Sequence, residues 1–324
     1  MMGGLRDLSV SQQVGLLFVV LFGLLLAATV TIVVRTLRED DERRMAEHER
    51  QTRDLRAVWV GAVLFWVAWA LGTVVSTLLF AVVSFLALRE FVTLTQTRRG
   101  DHRSLILAFF VILPAQYVIV GARAFDLFTV FIPVYTFLAI PVVSAFANDP
   151  HRFLERNAKI QWGIMVCVYC ISHAPALLLL DLPDYAGRGA FMVFYLVAVV
   201  AVAHLAQETA SRRLRALPVA RAISRTFTWQ TWLIGAGAGA VAGGLLYWST
   251  PFKPLPALAM GFVAGASGSL GEFVLQALQR DAGVRHWGNK TSVTGAVGLL
   301  DRVAPLCFAA PVFFHAVRWY FGIK

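Results

Sequence analysis

The chain has 324 residues, of which 58% are hydrophobic and 15% charged, with a net charge of +10. Soluble domains average roughly 45–50% apolar and about 25% charged residues, so this composition excludes an ordinary soluble globule. A nucleic-acid-binding domain is excluded as well, because the Arg residues sit in short loops between apolar runs, facing head groups, and no basic segment is large enough to fold alone.

A bilayer core about 30 Å thick takes roughly 20 apolar residues per helix. Apolar runs predict helices near 14–34, 57–71, 72–91, 104–121, 125–147, 160–180, 190–209, 231–248, 256–279 and 303–321. The expected fold is therefore all-α, a polytopic integral membrane protein of about ten transmembrane helices forming a single membrane domain over 1–324. The first run, from Val14 to Val34, is too long for a signal-peptide core and lacks a cleavage site, so it reads as a retained helix. Residues 57–91 are too long for one perpendicular span and short for two, which places a tight hairpin at Gly72. Between the first two runs, the polar segment 35–56 balances its Arg residues with Asp and Glu and reads as a surface helix on the cytoplasmic side.

Charge tests that count. The loops 35–56, 92–103, 148–159, 210–230 and 280–302 carry most of the cations, whereas the alternate loops offer little beyond Arg188 and Lys253. By the positive-inside rule the first group is cytoplasmic and both termini lie outside. The compartment expected is a bacterial inner membrane with a cytoplasmic active face.

Small and polar residues mark the C-terminal region, 190–321. Gly235, Gly237, Gly239, Gly243 and Gly244 in one run, and Gly261, Gly265, Gly268 and Gly271 in the next, allow close helix packing and permit a homodimer. They also leave room for a phosphate or acyl chain. Cys167 and Cys170 form a CxxC within an apolar run, read as buried small residues rather than a redox or metal pair, since no second ligand pair accompanies them. An ionisable group at membrane depth costs roughly 2.5–3.5 kcal/mol on insertion scales, so each calls for a partner or a role. Glu272 stands out, sharing much of one helical face with Ser267, Ser269 and Gln276. His204, Gln207 and Glu208 follow near a helix end, while Gln116 and His173 read as satisfied interhelical hydrogen bonds. Asp301 opens the last helix, where an Asp is ordinarily a cap. The loop before it combines Arg280, Asp281, Arg285, His286 and Lys290 with Gly283, Gly288, Gly295 and Gly298, a mixture suited to holding phosphates over a metal. A carboxylate on each side of that loop, Glu272 and Asp301, could share one Mg2+.

At these residues the sequence resembles phosphatidate cytidylyltransferases, which make CDP-diacylglycerol from CTP and phosphatidic acid. Their pattern runs GDLxES, KR, a KDxG turn, PGHGG and DRxD before an apolar helix. This chain has SGSLGEFVLQALQRDAGVRHWGNKTSVTGAVGLLDRVAPLCFAAPVFF, in the same order with about two extra residues in the loop. Carried over singly, Glu272 falls at the first metal-binding Asp, Gln279 and Arg280 at Lys-Arg, Arg285 and His286 at Lys-Asp, and Asp301 and Arg302 at DR. Ala296 replaces the His of PGHGG, and Pro305 stands at the last Asp. Upstream, the stretch from His204 to Gln230 echoes an Asp-containing motif followed by SPxKTxEG; Ser224 and Thr228 are kept, and His204, Phe227 and Gln230 replace Asp, Lys and Glu. Ser84 to Phe91, SFLALREF, is also family-like.

The resemblance implies cytidylyl transfer from CTP to phosphatidic acid, with Glu272 and Asp301 as Mg2+ ligands and, with Arg302, as the catalytic set. It implies that Ser224, Arg225, Thr228, Gln207, Arg280, Arg285, His286 and Lys290 bind substrate, Lys290 and Arg225 standing in for cations lost at Gln279 and Phe227. Two alternatives stay open: a non-catalytic paralogue that binds anionic phospholipid or CTP, and a transporter, prompted only by the helix count.

Overall fold

The computed structural model describes residues 8–38, 59, 62–63, 66–67, 70–95, 97–182, 185, 187–214, 216–284 and 298–323. Among these there is no strand, and nine helices succeed one another. They are α1 (Val10–Arg38), α2 (Thr73–Leu94), α3 (Arg99–Gly121), α4 (Phe125–Ala145), α5 (Phe153–Leu178), α6 (Gly189–Arg213), α7 (Trp229–Leu245), α8 (Pro254–Asp281) and α9 (Leu299–Phe321). Eight of them are long and apolar enough to cross a membrane; α7, with 17 residues, is the shortest. The protein is thus an all-helical, polytopic integral membrane protein. The polar segment after Arg38, most of the helix expected over 57–71, and Arg285, His286 and Lys290 lie outside the described residues. Gly72, placed at a hairpin by the sequence, interrupts the helical run with φ 94°, a left-handed value that glycine adopts without a Cβ clash.

The chain divides into two compact units, residues 1–76 and 77–324. In the first, α1 is held by side chains from the segment before α2: the Trp59 indole N–H donates to Thr29 Oγ1 at 3.0 Å, and Trp66 packs edge-on against Phe18.

The second unit carries the rest of α2 and helices α3–α9. One apolar core joins α2, α3, α4 and α5 to the α8–α9 pair, through Leu88, Phe91, Ile112, Ile140, Ile164, Leu275, Leu300 and Cys307. Three helices widen locally into π turns, each beside a proline: Pro114 follows Ala108–Ile112, Pro133 lies within Phe131–Thr136, and Pro175 follows Met165–Cys170. Proline lacks the N–H and clashes with the carbonyl four residues back, and a wider turn relieves both. Gln116 makes the interhelical bond expected of it, donating to Ser172 Oγ at 3.1 Å. His173 differs: its Nδ1 meets the Tyr169 carbonyl of its own helix at 2.8 Å, and its ring lies among Phe128, Tyr169 and Phe314. Ring packing supplies what an interhelical bond was expected to supply.

Close backbone approach defines α7 against α8. A Cβ on Gly261 would stand 2.5 Å from the Gly239 carbonyl oxygen, which leaves no room for a side chain there, and one on Gly239 would stand 3.0 Å from that of Gly261, a tight contact. The glycines therefore pack helix on helix, and α6 lies against both partners through Ala203, whose carbonyl and methyl meet Gly235 and Gly265.

Contacts between loops fix which helix ends lie together. Arg280 at the end of α8 reaches the Ile223 carbonyl before α7, Gln279 meets Asp301 at the start of α9, and Arg156 near the start of α5 pairs with Asp101 at the start of α3. The starts of α3, α5, α7 and α9 and the end of α8, with Arg156, Arg225, Arg280 and Arg302, thus share one end of the bundle, called here the basic end.

Candidate functional site

Two polar constellations occur at different levels of α8. The deeper one is built on Glu272, whose Oε2 lies 2.8 Å from His204 Nδ1 of α6, while Oε1 accepts from the Gln276 amide at 3.2 Å. The imidazole thus occupies one carboxylate oxygen and an amide one turn along α8 the other. Gln207, one turn after His204, packs its Cβ at Gly235 of α7 and buries an Oε1 that has no hydrogen-bond partner among the described residues. Ser267 bonds back to the Val263 carbonyl of its own helix.

The shallower constellation lies at the basic end. Gln279 donates its amide to Asp301 Oδ1 at 2.5 Å, tying α8 to the first turn of α9. Helix α9 starts from Gly298, which is in a left-handed conformation and has no side chain to cap with. The cap comes from another helix: Glu90 of α2, 3% exposed, accepts the backbone N–H groups of Leu299 and Leu300 at 3.1 and 3.2 Å through separate oxygens. A carboxylate at a helix N-terminus satisfies two orphan donors and complements the dipole. Asp301 is therefore not needed as the cap of its own helix and is engaged by α8 instead. Glu90 escaped the sequence reading, although the signal that singled out Glu272, a carboxylate inside an apolar run, was present in SFLALREF as well.

The loop before α7 uses its hydroxyls locally. Ser224, 4% exposed, accepts at Oγ from the Phe227 N–H at 3.2 Å, and Thr228 caps α7, accepting from the Thr231 N–H while Thr231 Oγ1 accepts from Thr228 N–H, each at 3.1 Å. Phe227 stacks on Phe273 with centroids 4.4 Å apart, directly beside Glu272 in the chain. Arg225 and Arg302 are exposed, as is Arg280, which donates to the Ile223 carbonyl at 3.4 Å. The structure thus brings Arg280 to the loop of Ser224, Arg225 and Thr228, and Asp301 to Gln279.

Glu272 and Asp301 are held by different partners: His204 and Gln276 hold Glu272, whereas Gln279, seven residues further along α8, holds Asp301. At about 1.5 Å per residue the two α8 positions stand ~10 Å apart along the axis. Among the described residues no three His, Cys, Asp or Glu side chains form a metal-binding group.

The sequence matches the cytidylyltransferase family over residues 51–320, most of the chain. The chain belongs to the cytidylyltransferase family. Membership points to a CTP-dependent nucleotidyl transfer, and the resemblance read from the stretch Gly268 to Pro311 is thereby confirmed at the level of the family. The cytidylyltransferase chain is also similar to the uncharacterized protein YnbB of Escherichia coli (strain K12), 34% identical over 244 residues, which cover 74% of this chain and 78% of that protein.

Proposed function

We propose that the protein transfers the cytidylyl group of CTP to phosphatidic acid, releasing pyrophosphate and leaving CDP-diacylglycerol in the membrane. The observation that supports this most directly is the assembly at the basic end: Asp301, held by Gln279 and set on a helix capped by Glu90, lies on the same end as Arg280 and the loop of Ser224. A phosphate oxygen of the lipid attacks the α-phosphorus of CTP, the new O–P bond forms, and the bond to pyrophosphate breaks with its electron pair on the leaving group. The chemistry is dominated by charge on phosphate oxygens.

Arg280 and Arg302, both exposed at this end, neutralise that charge, joined in this reading by Arg225, Arg285, His286 and Lys290. Mg2+ commonly takes one or two carboxylates and completes its shell with substrate phosphates and water, so Asp301 alone fits as its protein ligand. When bound there, the ion supplies further neutralisation at the phosphates. The active face is then the basic, cytoplasmic face of a bacterial inner membrane. Purified protein incubated with CTP, Mg2+ and phosphatidic acid should yield CDP-diacylglycerol; no product across metals and pH removes the proposal.

A specific observation favours a second reading, a non-catalytic paralogue that binds anionic phospholipid or CTP. Three family positions replaced here are occupied by internal partners: Gln279 holds Asp301, Phe227 stacks on Phe273, and His204 holds Glu272. Saturable CTP binding without turnover, abolished by D301N, would select this reading.

A further inference from the structure

We propose that a second pocket at the basic end holds the head group of a zwitterionic phospholipid, with its phosphate on Arg152 and Lys159 and its amine facing Asp281. The cavity, of about 450 Å³, lies where α2 and α8 end and α5 begins, within the range of roughly 300–1,000 Å³ usual for small-molecule sites. Its two charged walls differ. At the start of α5, Glu155 takes the Arg152 guanidinium through both oxygens, at 2.5 and 2.7 Å, and the Lys159 ammonium at 2.8 Å. Two cations sharing one carboxylate leave this wall with one positive charge in excess. Across the pocket, Asp281 of α8 supplies a negative charge. A ligand that matches both walls carries an anion and a cation a few bonds apart.

Backbone geometry sharpens the positive wall. Arg152 stands immediately before α5 with φ 49°, a left-handed conformation that non-glycine residues adopt rarely, and its guanidinium lies on Glu155 beside the pocket.

The rest of the lining is apolar and aromatic. Phe91 of α2, Trp162 of α5 and Leu278 of α8 line it below the charges, and all three belong to helices that cross the membrane. An aromatic ring at the head-group level is the usual interfacial anchor. A nucleotide offers nothing to such a surface beyond its base, whereas the glycerol and first methylenes of a lipid continue along it. The pocket is also separate from the cytidylyl constellations. Asp281 follows Gln279 and Arg280 at once on α8, but at ~100° per residue it is turned about 200° and 100° round the helix from them. The inference therefore stands apart from the proposed transfer reaction.

The test uses the full chain in detergent, with lipid binding read by native mass spectrometry against phosphatidylethanolamine, phosphatidylcholine and phosphatidylglycerol. The wild type should retain the two zwitterionic lipids over the anionic one by on the order of tenfold, the worth of one charge-assisted contact. D281N should erase that preference while leaving phosphate-bearing lipids bound, and R152Q combined with K159Q should release all three. Phosphatidylethanolamine carrying a photo-crosslinker high on its acyl chain should label the peptides of Phe91 and Trp162 in the wild type, a readout that needs no variant. Phosphatidylglycerol bound as tightly as the zwitterionic lipids would overturn the proposal. So would a D281N preference equal to the wild type's, labelling confined to other helices, or displacement of the lipid by inorganic phosphate or CTP.

Discussion

Replacing Glu90 with Ala should loosen the first turn of α9 and, with it, Asp301. The carboxylate is 3% exposed and accepts two backbone N–H groups, those of Leu299 and Leu300, at 3.1 and 3.2 Å. Gly298 offers no side chain to replace it. Hydrogen bonds to a charged acceptor are worth about 1.5–3 kcal/mol each, and donors left buried without a partner cost a comparable amount. Because the two bonds share one carboxylate and the freed turn can fray toward water, about 3 kcal/mol is the expected loss for E90A. E90Q keeps one carbonyl-type oxygen and should lose about half of that. The assay is amide hydrogen exchange followed at residues 299–301 in detergent-solubilised protein. A local opening made easier by ~3 kcal/mol raises exchange there by roughly two orders of magnitude, with α7 unchanged. Exchange at Leu299 and Leu300 that is the same in E90A as in wild type would refute the assignment of Glu90 as the cap.

Other consequences follow from buried contacts. R156M should destabilise the protein by about 3–5 kcal/mol, the cost of stranding a buried charge, because Asp101, 2% exposed, has its Oδ1 2.8 Å from the guanidinium; thermal unfolding measures it, and adding D101N should recover part of the loss. G261V should break the α7–α8 approach, since its Cβ would meet the Gly239 carbonyl at 2.5 Å; a fall of at least about 3 kcal/mol is expected, and wild-type unfolding in this variant would contradict the packing described. Asp149, outside the spans, has its carboxyl held below the usual 3.8 by the His151 backbone N–H and by Arg156. Its folded value is the lower one, so its stabilising contribution is complete above the ordinary carboxylate range and is lost as pH falls through the depressed value. D149N should flatten that acid limb of an unfolding-versus-pH profile and lower stability above about pH 5 by an amount that no longer varies with pH.

The spanning helices were legible because lipid imposes a simple demand, roughly 20 apolar residues with all backbone groups bonded internally. Nine of the ten expected runs contain a helix close to the expected bounds, and the tenth, 57–71, lies mostly outside the described residues. The π turns were not legible, since a proline such as Pro175 reports a disturbed helix but not how the ladder absorbs it. Glu272 was recognisable from its depth alone. Its pairing with His204 was not, because the two residues lie 68 positions apart and only the packing of α6 on α8 makes them neighbours. Glu90 poses the same difficulty over a longer separation, 209 residues from Leu299. Gln279 is more instructive. Read along the chain it is a missing cation, whereas in the structure it is a neutral donor to Asp301, a role no spacing rule assigns.

Those replacements share a physical logic that bears on where a phosphate can approach. At the level of Glu272, the carboxylate is flanked by an imidazole, an amide and the Phe227–Phe273 stack, a surface with no permanent cation among these neighbours. A polyphosphate placed there would meet a carboxylate before any guanidinium, an approach that Coulomb repulsion opposes most strongly where water is scarce. Two turns shallower, Asp301 has an amide on one oxygen, while Arg280 and Arg302 are exposed on neighbouring helix ends. Under the proposed transfer, the phosphates of CTP thus stay at the basic end and Glu272 acts on the helices rather than on the nucleotide. E272Q should then leave Mn2+ affinity within about threefold of wild type, whereas D301N should lower it by tenfold or more. Manganese titration followed by electron paramagnetic resonance separates the two, and a larger loss in E272Q than in D301N would return the metal to the deeper site.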